Sequence, residues 1–133
     1  MEFIVISGGN KHQRDDLANR LRAHGYRFYA PEMYFMDDFG DIHIDSTQQE
    51  QADHWCLKHA ALEVAHHRDV VCTDIMISPA LASQAEEEGF EVVDISLEDC
   101  SPEICEAQID ALIAQHDHTH PGFVKKLTTQ LFG

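Results

Sequence analysis

The sequence predicts an α/β fold, a three-layer sandwich whose mainly parallel sheet carries helices on both faces. Three observations predict it. Phe3-Ile4-Val5-Ile6 is a continuous apolar run, as expected of a strand buried on both faces. Strand-type and helix-type segments then alternate along the chain with short connections, which selects parallel pairing. Glycines and Ser-Pro pairs fall where helices of such a fold should start and stop.

Each element follows from local chemistry. Ser7-Gly8-Gly9-Asn10 breaks the first strand. A helix is expected from Asp15 to His24, with Leu17, Ala18 and Leu21 on one face and Gly25 as its stop. Arg27 to Ala30 reads as a short strand. Ser46-Thr47-Gln48-Gln49 fits a capping box, opening a helix to about His66. Its inward positions are Ala52, Trp55, Cys56, His59, Leu62 and Val64. Asp69 to Thr73 is the next strand. Ser78-Pro79 opens a helix that Gly89 ends, and Glu91 to Ile95 is a further strand. Ser101-Pro102 starts a helix with Ile104, Ile109, Leu112 and Ile113 inward. A short helix is expected from Val124 to Leu131.

The 133 residues read as one domain, with a short C-terminal extension from about 117. A hydrophobic fraction of 44% is ordinary for a globular chain, but a formal net charge of -15 is not. It argues against non-specific binding to a phosphate backbone and favours either a solvated acidic surface or a basic partner. Five of the nine basic residues, Lys11, Arg14, Arg20, Arg22 and Arg27, gather near the N-terminus. They suit an anion there or simply a helix surface.

Four cysteines show no C-x-x-C spacing. Cys56 and Cys72 sit in apolar-periodic segments and are expected as buried thiols. Cys100 and Cys105 are close enough in sequence to meet, but reduced thiols are expected. The N-terminus lacks a basic, long-apolar leader and no stretch approaches ~20 apolar residues, so no membrane span and a cytoplasmic location are expected.

Ligands of open parallel sheets bind beyond the carboxyl ends of the strands. That points to residues 7–14, 31–45 and 74–78. The turn Gly40-Asp41-Ile42-His43-Ile44-Asp45, with His54-Trp55-Cys56 following it, resembles a segment of small P-loop kinases of nucleotides or nucleic-acid ends, including zeta-toxin-like proteins. Their turn reads G-x-Y/H-x-F/I-D. The resemblance covers roughly Met1 to Ser96 and implies a P-loop NTPase-like fold.

It also implies what should stand at the catalytic positions. A phosphate loop, G-x-x-x-x-G-K-S/T, wraps phosphates with backbone N–H groups and adds a lysine and a Mg²⁺ hydroxyl. Registered on the helix at Leu17-Ala18, Gly8 takes the first glycine, Gln13 the second, Arg14 the lysine and Asp15 the hydroxyl position. A shifted register uses Gly8-Gly9-Asn10 and Lys11 but shortens the loop. The nucleotide-binding candidates are therefore Gly8, Gly9, Asn10, Lys11, Arg14 and Asp15, with ATP and Mg²⁺ as cofactors if the altered loop still binds.

The catalytic candidates are Glu32 and Asp74. Relatives carry S-x-D-x-Y-F after the second strand. Here Tyr34-Phe35 match and Glu32 replaces the aspartate that handles the acceptor's proton. Where relatives read V-D-N-T-N, this chain has Cys72-Thr73-Asp74-Ile75-Met76, leaving Asp74 as a ligand or Mg²⁺ contact. The arginine-bearing lid is absent: Leu97 to Glu106 contains four acids and no Arg or Lys, so it would repel a triphosphate.

Three functional readings remain, two from this resemblance and one from the acidic charge. Foremost is a degenerate kinase-like protein acting as a binding or regulatory module without phosphotransfer. An active ATP-dependent kinase of a nucleotide or 5′-hydroxyl end is the alternative. An acidic inhibitor or decoy of a basic protein surface is the third. His116, His118 and His120 invite a metal, but a surface tail is expected and no metal ligand is assigned. His66-His67 suits a helix C-terminus without metal.

Overall fold

The computed structural model describes residues 1–119. Four strands, β1 (Glu2–Ser7), β2 (Arg27–Tyr29), β3 (Val70–Thr73) and β4 (Glu91–Ser96), alternate with α1 (Lys11–Ala23), α2 (Gln49–Ala65), α3 (Pro79–Glu87) and α4 (Pro102–Thr119). The sheet is parallel throughout, in the order β2-β3-β1-β4. β1 is central, with Phe3 to Ile6 facing Val70 to Thr73 on one side and Val92 to Ile95 on the other. An α/β fold is what the sequence predicts.

Side chains alternate across a strand, so β1 feeds two cores. Ile4 and Ile6 pack with Leu17 and Leu21 of α1 and Ile109 and Leu112 of α4. Phe3 and Val5 pack with Cys56, Ala60 and Val64 of α2 and Leu81 and Ala85 of α3. Both sets are almost wholly withdrawn from water, which is why the β1 run carries no polar alternation. Truncating one such residue to alanine costs about 2–5 kcal/mol.

Several helix details differ from expectation. α1 begins at Lys11, not Asp15. Asn10 is its N-cap: the side chain accepts from Gln13 N–H, and Gln13 returns a bond to the Asn10 N–H. The expected capping box at Ser46 is also displaced. Asp45 caps a short 3-10 turn, Ser46–Gln48, and α2 follows it without a side-chain cap of its own. Ser78, by contrast, caps α3 through Leu81 N–H, and Ser101 Oγ accepts from Ile104 N–H.

Two expected core residues face water. Leu62 is 47% and Ile104 55% exposed. In α2 the buried positions are Ala52, Cys56, Ala60, Glu63 and Val64, with Glu63 accepting a hydrogen bond from Tyr29 Oη at 2.8 Å. That bond, with burial as the larger cause, pushes the Tyr29 phenol up to about 12. Cys100 and Cys105 form a disulfide (Cα–Cα 6.2 Å) rather than the expected thiols. Cys56 and Cys72 are buried free thiols, as expected. His116 is buried against Tyr26, not part of a surface tail. His120 and the helix expected over 124–131 lie outside the described residues.

Candidate functional site

The parallel strands bring three connections together at their carboxyl edge. Ser7 to Asn10 leaves β1 in the middle. Asp74 leaves β3 beside it, with its N–H on Ile6 O at 3.1 Å; Leu97 leaves β4, with its N–H on Ser7 O at 2.8 Å. α1 and α3 depart from neighbouring strands β1 and β3 into the two different cores. Such a reversal of chain direction is where open α/β sheets form a crevice.

Gly8 and Gly9 both have positive φ, 75° and 62°. The turn needs that freedom, and it also needs the missing side chains. A Cβ on Gly8 would lie 2.8 Å from Glu98 Cγ, and one on Gly9 3.1 Å from Leu97 Cβ. The β4–α4 connection thus lies directly on this turn and places a carboxylate beside it.

The cations here are already engaged. Arg14, 14% exposed, donates through Nη1 to the carbonyl oxygens of Gly8 and Gly9, at 3.0 and 3.2 Å. Its Nη2 lies 3.8 Å from Asp74 Oδ1. Lys11 Nζ contacts Asp15 at 2.5 Å and Glu32 at 3.0 Å. Hydrogen bonds to Asp15 and then Glu32 hold the Lys11 ammonium protonated above the ordinary lysine range. Asp74 adopts φ 57°, a left-handed conformation aspartate tolerates better than most residues.

Two of the clefts at this edge share Asp74 and differ in room and in their cations. The first is lined by Lys11, Arg14, Asp15, Ala30, Pro31, Glu32, Thr73 and Asp74 and holds about 30 Å³. That is room for about one water, against the several hundred Å³ of a typical ligand pocket. The second is about 420 Å³, lined by Val5, Ser7, Asp74, Ile75, Met76, Ile77 and Asp94. Among the described residues, its lining holds two carboxylates and no lysine or arginine. The cations sit where there is no room, and the room sits where there is no cation.

The sequence candidates therefore divide. Gly8, Gly9, Asn10, Lys11, Arg14, Asp15, Glu32 and Asp74 do gather at one edge, but α1 starts at Lys11. The register that put Arg14 at the lysine position and Asp15 beside it assumed a longer loop and does not describe this turn. Asn10 caps the helix, and Arg14 reaches back to bond the loop's own carbonyls.

The excursion between β2 and α2, expected as a ligand loop, is an ordered acidic knob. A 3-10 helix, Pro31–Phe35, leads to an antiparallel bridge between Met36 and Ile42. Asp37 Oδ1 accepts from the N–H groups of Phe39 and Asp41, and Asp37 Oδ2 meets His43 Nε2 at 2.8 Å. The His43 bond foremost, with those N–H bonds, holds the Asp37 carboxyl below its usual range. Phe39 at its tip is 91% exposed.

Sequence reasoning placed Ile77 in a candidate ligand loop but missed Asp94 as lining of the larger cleft. The only local signal was its position near the carboxyl end of a strand. No protein-family model matches the chain, and neither a curated protein nor a solved structure matches it significantly. No helix among the described residues is long and apolar enough to cross a membrane.

Proposed function

We propose that this chain is a binding or regulatory module on a degenerate P-loop kinase-like framework, a three-layer α/β sandwich that transfers no phosphate. The separation of room from positive charge carries that proposal. Phosphoryl transfer requires cations preorganised around the moving phosphate. Lys11 and Arg14 face a cleft of about 30 Å³ and are engaged by carboxylates and carbonyls, while Glu98 lies on Gly8. The strand order β2-β3-β1-β4 and the glycine turn after the central strand support the framework.

The larger cleft suits a different ligand. Asp74 and Asp94 with Ile75, Met76 and Ile77 present carboxylates beside apolar surface. Met76 is 86% exposed. That combination fits the aliphatic stem and charged head of a lysine or arginine from a basic protein surface, as the net charge of -15 also favours.

A thermal-shift titration with ATP, ADP and GTP, with and without Mg²⁺, tests the first part. A ligand that binds the native fold raises its melting temperature by mass action. No shift is expected at millimolar nucleotide. A Mg²⁺-dependent shift lost in Arg14→Ala would restore the active-kinase alternative, with Arg14 on phosphate, Glu32 as base and Asp15 or Asp74 on Mg²⁺. Salt-sensitive binding of lysine- and arginine-rich peptides, lost in an Asp74→Asn, Asp94→Asn double variant, is expected for the second part.

A further inference from the structure

At the opposite, amino edge of the sheet, three ionisable side chains from distant parts of the chain are buried together. Glu2 belongs to β1, Asp69 immediately precedes β3, and His116 lies on α4. They are 2%, 5% and 7% exposed. Asp69 Oδ1 accepts from the Glu2 N–H at 2.6 Å, and Asp69 Oδ2 lies 2.9 Å from His116 Nδ1. Tyr26 Oη donates to Glu2 Oε2 at 3.2 Å, and the Tyr26 ring packs on His116 with centroids 4.5 Å apart. One donor atom from each of Glu2, Asp69 and His116 falls within 4.8 Å of the others.

We propose that Glu2, Asp69 and His116 form a site for a divalent metal ion of the zinc class, which ties α4 to the amino edge of the sheet. One imidazole nitrogen and two carboxylate oxygens are a donor set such ions accept. Three donors each ~2.1 Å from a tetrahedral ion lie about 3.4 Å apart; here the Asp69 Oδ2 to His116 Nδ1 distance is 2.9 Å and the whole group falls within 4.8 Å.

All three donor residues lie in a region nearly closed to water. The Gly25 backbone lies beside the imidazole: an added Cβ would stand 3.5 Å from His116 Nε2.

The site is distinct from the carboxyl-edge clefts and does not depend on the function proposed for them. Its test is isothermal titration of the metal-free full chain with Zn²⁺, with Co²⁺ absorption as the structural readout. One saturable equivalent and a tetrahedral Co²⁺ spectrum are expected. Glu2→Gln retains the shape and hydrogen bonding of the protonated side chain, so it should fold yet weaken binding by more than ~10-fold; His116→Ala should weaken it at least as far. A His118→Ala, His120→Ala double variant should bind like the parent. Absence of a saturable equivalent, or binding that survives Glu2→Gln and His116→Ala but not the double variant, overturns the proposal.

Discussion

Arg14 Nη1 lies 3.0 Å from the carbonyl oxygen of Gly8. The guanidinium therefore faces back along the chain, onto the turn that a phosphate would have to enter. Its partner bond to the Gly9 carbonyl makes the residue a clasp between α1 and the β1 turn. Hydrogen bonds from a charged donor are worth about 1.5–3 kcal/mol each when buried. Arg14→Ala is expected to lower stability by ~1–3 kcal/mol in urea unfolding, in the absence of any nucleotide.

Gly8→Ala should be more costly than Gly40→Ala. Both glycines have positive φ, so both substitutions carry a backbone penalty of about 1–2 kcal/mol. Only at Gly8 does the new methyl also meet a neighbour, with Glu98 N at 3.2 Å behind the flexible Glu98 side chain. At Gly40 nothing lies within 4 Å. Equal loss of melting temperature in the two variants would show that the β4–α4 connection does not rest on the turn.

Glu2 sets an expected pH dependence. Its folded carboxyl titrates at about 7, raised from 4.5 chiefly by burial and then by the bond to Asp69. The folded state therefore binds this proton more tightly than the unfolded state does. The contribution is fully present below about 4.5 and is lost as pH rises through about 7. Without metal, the stability difference between parent and Glu2→Gln should change by on the order of 1–3 kcal/mol between pH 5 and pH 8. Urea unfolding of both proteins at the two pH values reads it; parallel curves would contradict the buried carboxylic acid.

Reduction of the Cys100–Cys105 bridge should lower stability measurably. It closes a short loop, for which chain entropy gives about 2 kcal/mol. Cys100→Ser should lower the melting temperature by several degrees and abolish any further effect of reductant. Disulfides persist in oxidising compartments, so the redox state of the protein as isolated also bears on the expected cytoplasmic location.

Cys56 and Cys72 should be silent toward thiol reagents in the native state. Both are fully buried, and the bond to Cys56, then burial, pushes the Cys72 thiol well above its ordinary value. Thiolate is the reactive form. Ellman's reagent should find no fast-reacting thiol among these two until denaturant is added.

Local patterns made most of the framework legible. Phe3 to Ile6 and Val70 to Cys72 are short apolar runs, and the structure buries both completely. Ser78-Pro79 and Gly89 bracket α3 as their backbone preferences require. The start of α1 was not legible from periodicity, because its first turn is polar and Leu17 is its first buried residue. Asn10 with Gln13, the cap that does open it, is a polar pair in a polar stretch. Ile104 and Leu62 misled because an apolar side chain on a helix does not say which face the sheet will cover.

The sequence by itself determined the α/β class, the strand segments, the two buried thiols and the gathering of Gly8, Lys11, Arg14, Glu32 and Asp74 at one edge. Those follow from backbone preference, apolar runs and the direction of parallel strands. Only the tertiary structure decided that Arg14 bonds the loop's own carbonyls, that the cations lack room, and that His116 meets Glu2 and Asp69. Each of these depends on distances between segments far apart along the chain, and no local periodicity encodes such a distance.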